Sequence, residues 1–199
     1  VVRKVVGYKE IKFYTSENLG YGDVNLPEKD MHTTSYWFTI PRDQLRKLEF
    51  TPAEIIDGLS ALAYTLQHLS AMFLMADTHD IDRALGDKSG EWFVSQGKTG
   101  RVITSFNAGR PEMTDNKTGA RIDEFDPTIF IFDAYPGGIG FSELLYREHA
   151  NLLLAAGSLI EKCPCAYGCP SCVGPTLEVG KTAKEIVPKI IELLLPVKR

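Results

Sequence analysis

All four cysteines of the chain lie within the segment "CPCAYGCPSC" at positions 163 to 172. They follow the spacing C-x-C-x3-C-x2-C and are Cys163, Cys165, Cys169 and Cys172. Four thiolates at such spacings can converge on a tetrahedral Zn²⁺ ion at about 2.3 Å each. Gly168 lets the backbone bend between the two pairs, because glycine tolerates positive φ angles. A site closed by four cysteines has no open coordination position, so we predict one structural zinc ion.

Two other chemistries would use the same cysteines. Disulfides are typical of oxidising compartments and of small domains that lack a large core. This chain has 199 residues, of which 44% are hydrophobic, so it can bury a core without cross-links. Rings closed between such near neighbours would also be strained and would constrain the unfolded chain little. Iron–sulfur clusters take four cysteines as well, but usually at more open spacings. Zinc is therefore favoured over both alternatives.

Histidines and carboxylates are the other candidate chemical groups. His68 lies on the flank of a predicted helix, and we expect a half-buried side chain with a hydrogen-bond partner, since one histidine alone lacks the second group that acid–base catalysis needs. The segment "ADTHDIDRA" contains Asp77, His79, Asp80 and Asp82. These side chains could bind Mg²⁺ or Ca²⁺. They equally suit a helix end that passes into solvent, and this second interpretation is the one we favour.

A strand, a glycine turn and a helix follow one another before the cysteine loop. The run 128–135, "TIFIFDAY", predicts a central strand, "PGGIG" a turn, and 141–161 a long helix. Free N–H groups at the start of such a helix could bind a DNA phosphate near Gly137 and Gly138, or the glycines could simply turn the chain. Asp133 stands near the end of the predicted strand. Its position would suit a catalytic carboxylate, and capping of the glycine turn is an equally good role.

The elements that would position these groups are a long central helix and several strands. Thr51 and Glu54 form a capping box before an apolar helix that extends to about Ala76. Its apolar residues recur every three or four positions: Ile55, Leu59, Leu62, Leu66, Leu69 and Phe73. Such a helix is expected to be buried on most sides.

Short β-like runs surround that helix. "VVRKVVGYKEIKFYT" and "HTTSYWFTIP" (32–41) predict an antiparallel meander, and "EWFVSQGKTGRVITSF" a hairpin that turns near "GKTG". The chain ends in an amphipathic helix, in which Thr182 and Glu185 have capping-box spacing and Pro188 marks a kink or a helix start. We predict one α+β domain over residues 1–199, with a small mixed or antiparallel sheet packed on long helices. The zinc loop joins two C-terminal helices.

Composition limits the function classes. The net charge is −4, with 22 Lys and Arg against 26 Asp and Glu, so no strongly basic nucleic-acid-binding face is evident. No apolar run is long enough to span a membrane. The start "VVRKVVGYKE" lacks an initiator Met and a signal-peptide core, which predicts a cytoplasmic fragment of a longer chain, associated with the nucleoid if bacterial.

Three segments together resemble a known family: "GYKEIKFYTSENLGYGDVNLPEKDMHTTSYWF", "FDAYPGGIGFSELLY" and "CPCAYGCPSCVGP". They are similar to the MrfA-type zinc-binding domain, found at or near the C-terminus of superfamily 2 DNA helicases of the MrfA and Hrq types. The resemblance covers nearly the whole chain. It implies one zinc ion on the four cysteines, and a parent helicase that uses ATP to move 3′ to 5′ on single-stranded DNA and acts in DNA repair.

The motor itself is not recognisable in the sequence. No Walker A motif, DExH box or RecA-like domain is present, and "GKTG" lacks the upstream glycine spacing. We expect no ATP hydrolysis and no catalytic or cofactor-binding residue here, with ATP and Mg²⁺ bound only by motor domains outside this sequence. Residues 84–126 match no family motif.

We expect the domain to support those motor domains and to guide single-stranded DNA. The sequence also leaves open whether it binds other protein partners. The candidate phosphate contacts are Arg101, Arg110, Lys117 and Arg121, besides Gly137 and Gly138. Trp37 and Trp92 are candidates for base stacking, although either could be a core aromatic.

Two further classes of function stay open. A protein-interaction module, which would dock the helicase to itself or to a repair or defence partner, predicts a large exposed apolar patch. A metal-dependent nuclease or hydrolase would use His68, Asp77, Asp80 and Asp133.

Overall fold

The computed structural model describes residues 2–3, 7–15, 17–23, 29–87, 92–97, 100–105, 112–114 and 126–195. The strands are β1 (Val2–Arg3), β2 (Gly7–Ile11), β3 (Asn18–Asp23), β4 (Lys29–Asp30), β5 (Ser35–Thr39), β6 (Ile81–Asp87), β7 (Trp92–Gly97), β8 (Gly100–Ser105), β9 (Glu112–Thr114) and β10 (Pro127–Asp133). The helices are α1 (Arg42–Leu45, followed by a 3-10 turn, Arg46–Leu48), α2 (Pro52–Leu74), α3 (Phe141–Arg147), α4 (His149–Lys162), α5 (Thr176–Val179) and α6 (Ala183–Leu194).

The main sheet is antiparallel and has the strand order β5-β10-β6-β7-β8-β9. β10 lies between β5 and β6, so that Ile131 has Tyr36 on one side and Arg83 on the other. Every residue of β10 except Phe130 is buried, as a run of apolar residues predicts for a central strand. The α+β fold and the hairpin at "GKTG", formed by β7 and β8, are confirmed.

The N-terminal strands do not form one meander. β2 and β3 pair as a hairpin, β1 pairs with β4, and β5 instead joins β10 in the main sheet. The prediction of a continuous meander is therefore wrong. The physical reason is burial: Tyr36 on β5 and Ile40 just after it lie in the core, whereas the large side chains of the β2–β3 hairpin stay exposed.

Helix α2 packs on both layers of the fold, against β6 and β10 on the sheet side and against α4 and α6. The predicted capping box is present, with Glu54 N donating to Thr51 Oγ1 and Thr51 N to the Glu54 carboxylate. The predicted apolar stripe is buried from Ile55 to Leu69. Its last member, Phe73, is exposed, whereas the next residue, Leu74, packs against the core.

The predicted helix over 141–161 is two helices, interrupted at Glu148 (φ −93°, ψ 11°). Asn151 donates a side-chain hydrogen bond to the Glu148 carboxylate, but no side chain among the described residues caps the backbone N–H groups at the start of α4. Near the C-terminus, α5 follows the cysteine loop, and α6 begins at Ala183 with Pro188 inside it. Thr182 is the residue before α6, but its side chain makes no capping bond. Among the described residues, no helix combines the length and hydropathy that crossing a membrane requires.

Candidate metal centre

The cysteine loop begins where α4 ends. Cys163 is the C-cap residue of α4, and Cys172 at the other end of the loop is fully buried. Gly168 adopts φ 119°, and a Cβ there would lie 2.5 Å from Val173 Cγ2. Only glycine fits this turn without displacing the loop. The bend predicted between the two cysteine pairs is therefore located at this residue.

The four sulfur atoms all lie within 4.8 Å of one another. Four of the Sγ–Sγ distances are 3.5 to 3.6 Å. A tetrahedron with four bonds of about 2.3 Å has edges of about 3.8 Å, so the sulfurs stand nearly where one zinc ion needs them. A disulfide would need about 2.05 Å, and the four cysteines are free thiols. A multi-iron cluster would hold its cysteines around several metal ions, not around one point.

Backbone hydrogen bonds fix the second cysteine pair. Cys172 N and Gly174 N both donate to Cys169 O at 3.0 Å. Cys169 N lies 3.4 Å from Cys172 Sγ and points a donor at that sulfur. Such N–H donors stabilise a thiolate, which is the form that binds zinc. The loop is thus preorganised around the ionised ligand.

Two elements outside the loop also hold it. From α2, Thr65 Oγ1 donates to Cys172 O and Tyr64 OH to Pro170 O, each at 2.9 Å. From α6, Lys184 Nζ donates to Cys163 O at 2.6 Å. The cysteine loop therefore connects the end of α4 to α2 and α6. A metal ion bound in this loop would lie where a structural metal holds several elements together.

Burial and hydrogen bonding act on the thiols in opposite directions. Burial raises the pKa of Cys172 to about 12. Burial would also raise the pKa of Cys165, but hydrogen bonds with the Cys163, Cys172 and Cys169 thiols outweigh it and lower that pKa to about 7. A bound cation favours the thiolate form, which is the form of cysteine that binds zinc.

Asp133 caps the glycine turn, which is one of the two roles that the sequence predicts for it. Its side chain is 1% exposed, and Oδ2 accepts from the N–H groups of Ile139, Gly140 and Phe141. Ser142 Oγ donates to Oδ1. The carboxylate thus occupies the start of α3, where the sequence raised the alternative of a DNA phosphate.

The glycines of this turn have positive φ angles of 83° at Gly137 and 72° at Gly138. Gly137 N donates to His32 O, and Gly138 N to Tyr135 O. Their N–H groups are therefore bonded within the protein, and DNA contact at these two residues stays a prediction.

The other histidines and carboxylates do not form a metal site in the described part of the chain, where the cysteine cluster is the metal-binding group found. His68 is half-buried, bonds Tyr64 O at 2.9 Å and stacks on the Tyr64 ring, as expected. Asp77 bonds His79 and Asp80 bonds Tyr135 OH. Nothing in this geometry supports the nuclease or hydrolase alternative.

The candidate DNA contacts are only partly described. Trp37 is 57% exposed on β5, beside the Phe130 ring at 6.5 Å, so it is a surface aromatic and not a core one. The side chains of Arg101 on β8 and Trp92 on β7 lie outside the described residues. The same holds for the whole of Arg110, Lys117 and Arg121. Their contact with DNA stays a prediction.

Sequence reasoning missed the supporting residues Tyr64, Thr65 and Lys184. Each contacts the loop from 19 to 107 residues away, and no local pattern signals such a contact. The residue type of Thr65 gave no such signal, because its hydroxyl also lies 2.9 Å from Ala61 O, a partner one turn earlier in the same helix.

A family model described as the MrfA Zn-binding domain matches residues 62–173, which run from within α2 to just past the last cysteine. The ATP-dependent helicase YprA of Bacillus subtilis (strain 168) is 33% identical over 187 residues, covering 94% of this chain and 20% of YprA. MJ1572.1 of Methanocaldococcus jannaschii is 42% identical over 48 residues, covering 24% of this chain and 43% of that protein.

Two solved structures are similar as well. The DUF1998 helicase MrfA bound to DNA has a TM-score of 0.52 and 28% identity, covering 96% of this chain and 21% of MrfA. MrfA bound to DNA and AMPPNP has a TM-score of 0.51 and 28% identity, covering 95% of this chain and 19% of that one. The chain thus spans about a fifth of the length of the helicases that it matches.

Proposed function

The chain belongs to the MrfA Zn-binding domain family, and from that premise we propose that it is the zinc-binding accessory domain of a longer ATP-dependent DNA helicase. The observation that carries this proposal is the four-sulfur centre, which lies inside the matched region and between α4 and α6. A closed centre of this kind holds structure and performs no chemistry. The domain would therefore act on the motor domains mechanically, as a rigid support.

We further propose that the domain contacts single-stranded DNA while the motor moves 3′ to 5′ along it, in the repair of damaged DNA. The DNA present in the MrfA structures supports this proposal. The exposed Trp37 is a suitable stacking platform, because base–aromatic stacking tolerates any sequence. The helicase would work where chromosomal DNA lies, which we propose is the cytoplasm, at the nucleoid in a bacterium.

Fluorescence anisotropy of labelled single-stranded DNA across a salt series tests the contact. Binding should weaken as salt rises, since each neutralised phosphate releases counterions. The test variant changes four cations to Gln: Arg101, Arg110, Lys117 and Arg121. The control removes the same charge from helices: Arg46, Lys47, Arg147 and Lys162. We expect a flatter salt dependence in the test variant only, and weaker binding at every salt concentration in Trp37→Ala. Absence of binding by the parent at low salt would refute direct contact.

A docking function has one specific observation in its favour. The β2–β3 hairpin exposes six large apolar side chains: Tyr8, Ile11, Phe13, Tyr14, Leu19 and Tyr21. Phe13 is 80% and Tyr14 95% exposed at its tip. Exposed apolar groups on both faces of one hairpin favour an interaction site. Replacing Phe13 and Tyr14 together by Ser should then lower the DNA-stimulated ATPase rate of the full-length helicase while the zinc content stays unchanged.

A further inference from the structure

The side chain of Lys184 contacts the metal centre from outside the cysteine loop. Lys184, the second residue of α6, places its Nζ 2.6 Å from Cys163 O and 3.5 Å from Cys165 Sγ, and also donates to Cys165 O. A lysine ammonium has three N–H donors. The carbonyl oxygens and the sulfur match all three, so the ammonium faces the first cysteine pair.

The Lys184 ammonium compensates part of the negative charge that the zinc–thiolate centre carries. Zn²⁺ with four thiolates carries a net charge of −2, and in this fold three of the sulfur ligands are half-buried and the fourth is buried. Removing negative charge from water is costly unless a cation or a hydrogen bond compensates it. A donor at the sulfur also stabilises the negative charge of the metal-bound thiolate, which makes the thiolate less prone to loss from the metal.

Lys184 also stabilises the backbone of the loop, because it bonds carbonyl groups that follow the end of α4. α4 ends at Lys162, and the carbonyl groups at the C-terminal end of a helix carry partial negative charge. The Lys184 ammonium bonds the carbonyl of Cys163, which is the C-cap residue of α4, and that of Cys165 in the loop. It therefore holds the first cysteine pair in the geometry that the zinc ion requires.

We propose that Lys184 is a positioning residue for the zinc ion, which neutralises part of the charge of the thiolates and thereby raises zinc affinity and slows zinc release. This goes beyond the accessory role in a helicase. It concerns zinc retention by this chain, so it can fail or succeed whether or not the domain touches DNA.

Zinc affinity, measured by competition with a chromophoric chelator at fixed pH, tests the proposal. Lys184→Met keeps the length of the side chain and removes its charge and donors. Loss of such an outer partner costs a metal site roughly tenfold or more in affinity. We expect that loss in Lys184→Met and a smaller one in Lys184→Arg. The control is Lys189→Met on the same helix, whose ammonium pairs with Glu185 and the Phe50 ring. It should bind zinc within about twofold of the parent.

Cobalt substitution separates charge compensation from simple backbone support. In the Co²⁺-loaded protein, loss of the donor at sulfur raises the energy of the sulfur electrons, so the sulfur-to-cobalt charge-transfer band of Lys184→Met should move to longer wavelength. Lys184→Arg should restore most of the shift. Zinc affinity of Lys184→Met equal to that of Lys189→Met would overturn the proposal. So would weakened affinity with an unmoved cobalt band, because the lysine would then only brace the backbone.

Discussion

At the residue scale, Cys169 shows how much of the site could be predicted. The cysteine spacing indicated the metal ligands because the four residues are close in sequence, and local backbone geometry alone can bring them together. Lys184 and Thr65 could not be predicted, because their contacts depend on how α6 and α2 pack. Asp133 is intermediate, since its capping role lies within nine residues of the chain.

Replacing Cys169 by Ser should release the zinc. A hydroxyl does not ionise at neutral pH, so the site would keep three thiolate ligands and an open position. We expect less than half an equivalent of bound metal by elemental analysis, and a lower melting temperature. Ser171→Ala in the same exposed stretch of the loop is the matched control and should keep one zinc. Full zinc content in the Cys169 variant would show that the ligand set is wrong.

Asp133→Ala should lower the free energy of unfolding by about 3 kcal/mol, because it leaves the buried Ser142 hydroxyl and the partly buried N–H groups of Ile139 and Gly140 without an acceptor. Asp133→Asn should cost less, since its amide oxygen can still accept the backbone N–H bonds. Urea unfolding measures both. Asp43→Ala, in an exposed pair with Arg46, is the control and should cost at most about 1 kcal/mol. Equal losses in the Ala and Asn variants would argue against a capping role.

His149 makes the stability of the fold depend on pH. Burial lowers the pKa of His149, and Tyr36 OH bonds its Nδ1. Because the folded pKa lies below the unfolded one, the unfolded state takes up the proton first, and stability falls as pH drops below about 6.5. His149→Gln keeps an acceptor for Tyr36 and does not titrate. The difference in unfolding free energy between parent and variant should therefore shrink between pH 7 and pH 5. A constant difference would contradict this assignment.

At the element scale, the helices were the most predictable part of the fold. The capping box and the apolar stripe of α2 are local signals, and both are present. The break at Glu148 was not predictable, since no glycine or proline marks it and His149 is drawn toward Tyr36 on another element. The same holds for β5, whose partner strand lies about 90 residues further on. Tertiary burial decided these cases.

Two helical glycines should respond oppositely to alanine. At Gly58 on α2, a Cβ would lie 2.5 Å from Ile186 Cγ2 on α6. Overpacking of this kind costs about 1–3 kcal/mol, more than the roughly 1 kcal/mol that alanine gains in helix propensity. At Gly157 on α4 the nearest atoms, on Ile191, are 4.0 Å away. We expect Gly58→Ala to destabilise and Gly157→Ala to stabilise the fold in urea unfolding. The same sign for both would contradict the close packing of α2 on α6.

At the scale of the whole molecule, the zinc ion and the hydrophobic core both stabilise the fold. The core includes α2, the inner face of β10, and α4 and α6, and it is continuous without the metal. Classical zinc fingers unfold when zinc is removed because they lack such a core. Here we expect a chelator to lower the melting temperature while most of the helical circular dichroism remains at 25 °C. Complete loss of helix at that temperature would show that the core does not fold alone.

A structural zinc centre is tested most directly by the mass of the freshly purified, intact chain under native conditions. We expect one zinc ion per chain, bound with the loss of protons from the cysteine thiols, and a return to the metal-free mass after acidification. A native mass without metal, or one reduced by the hydrogens lost to two disulfide bonds, would contradict a structural zinc centre. In that case the position of the cysteines between α4 and α6 would need another explanation.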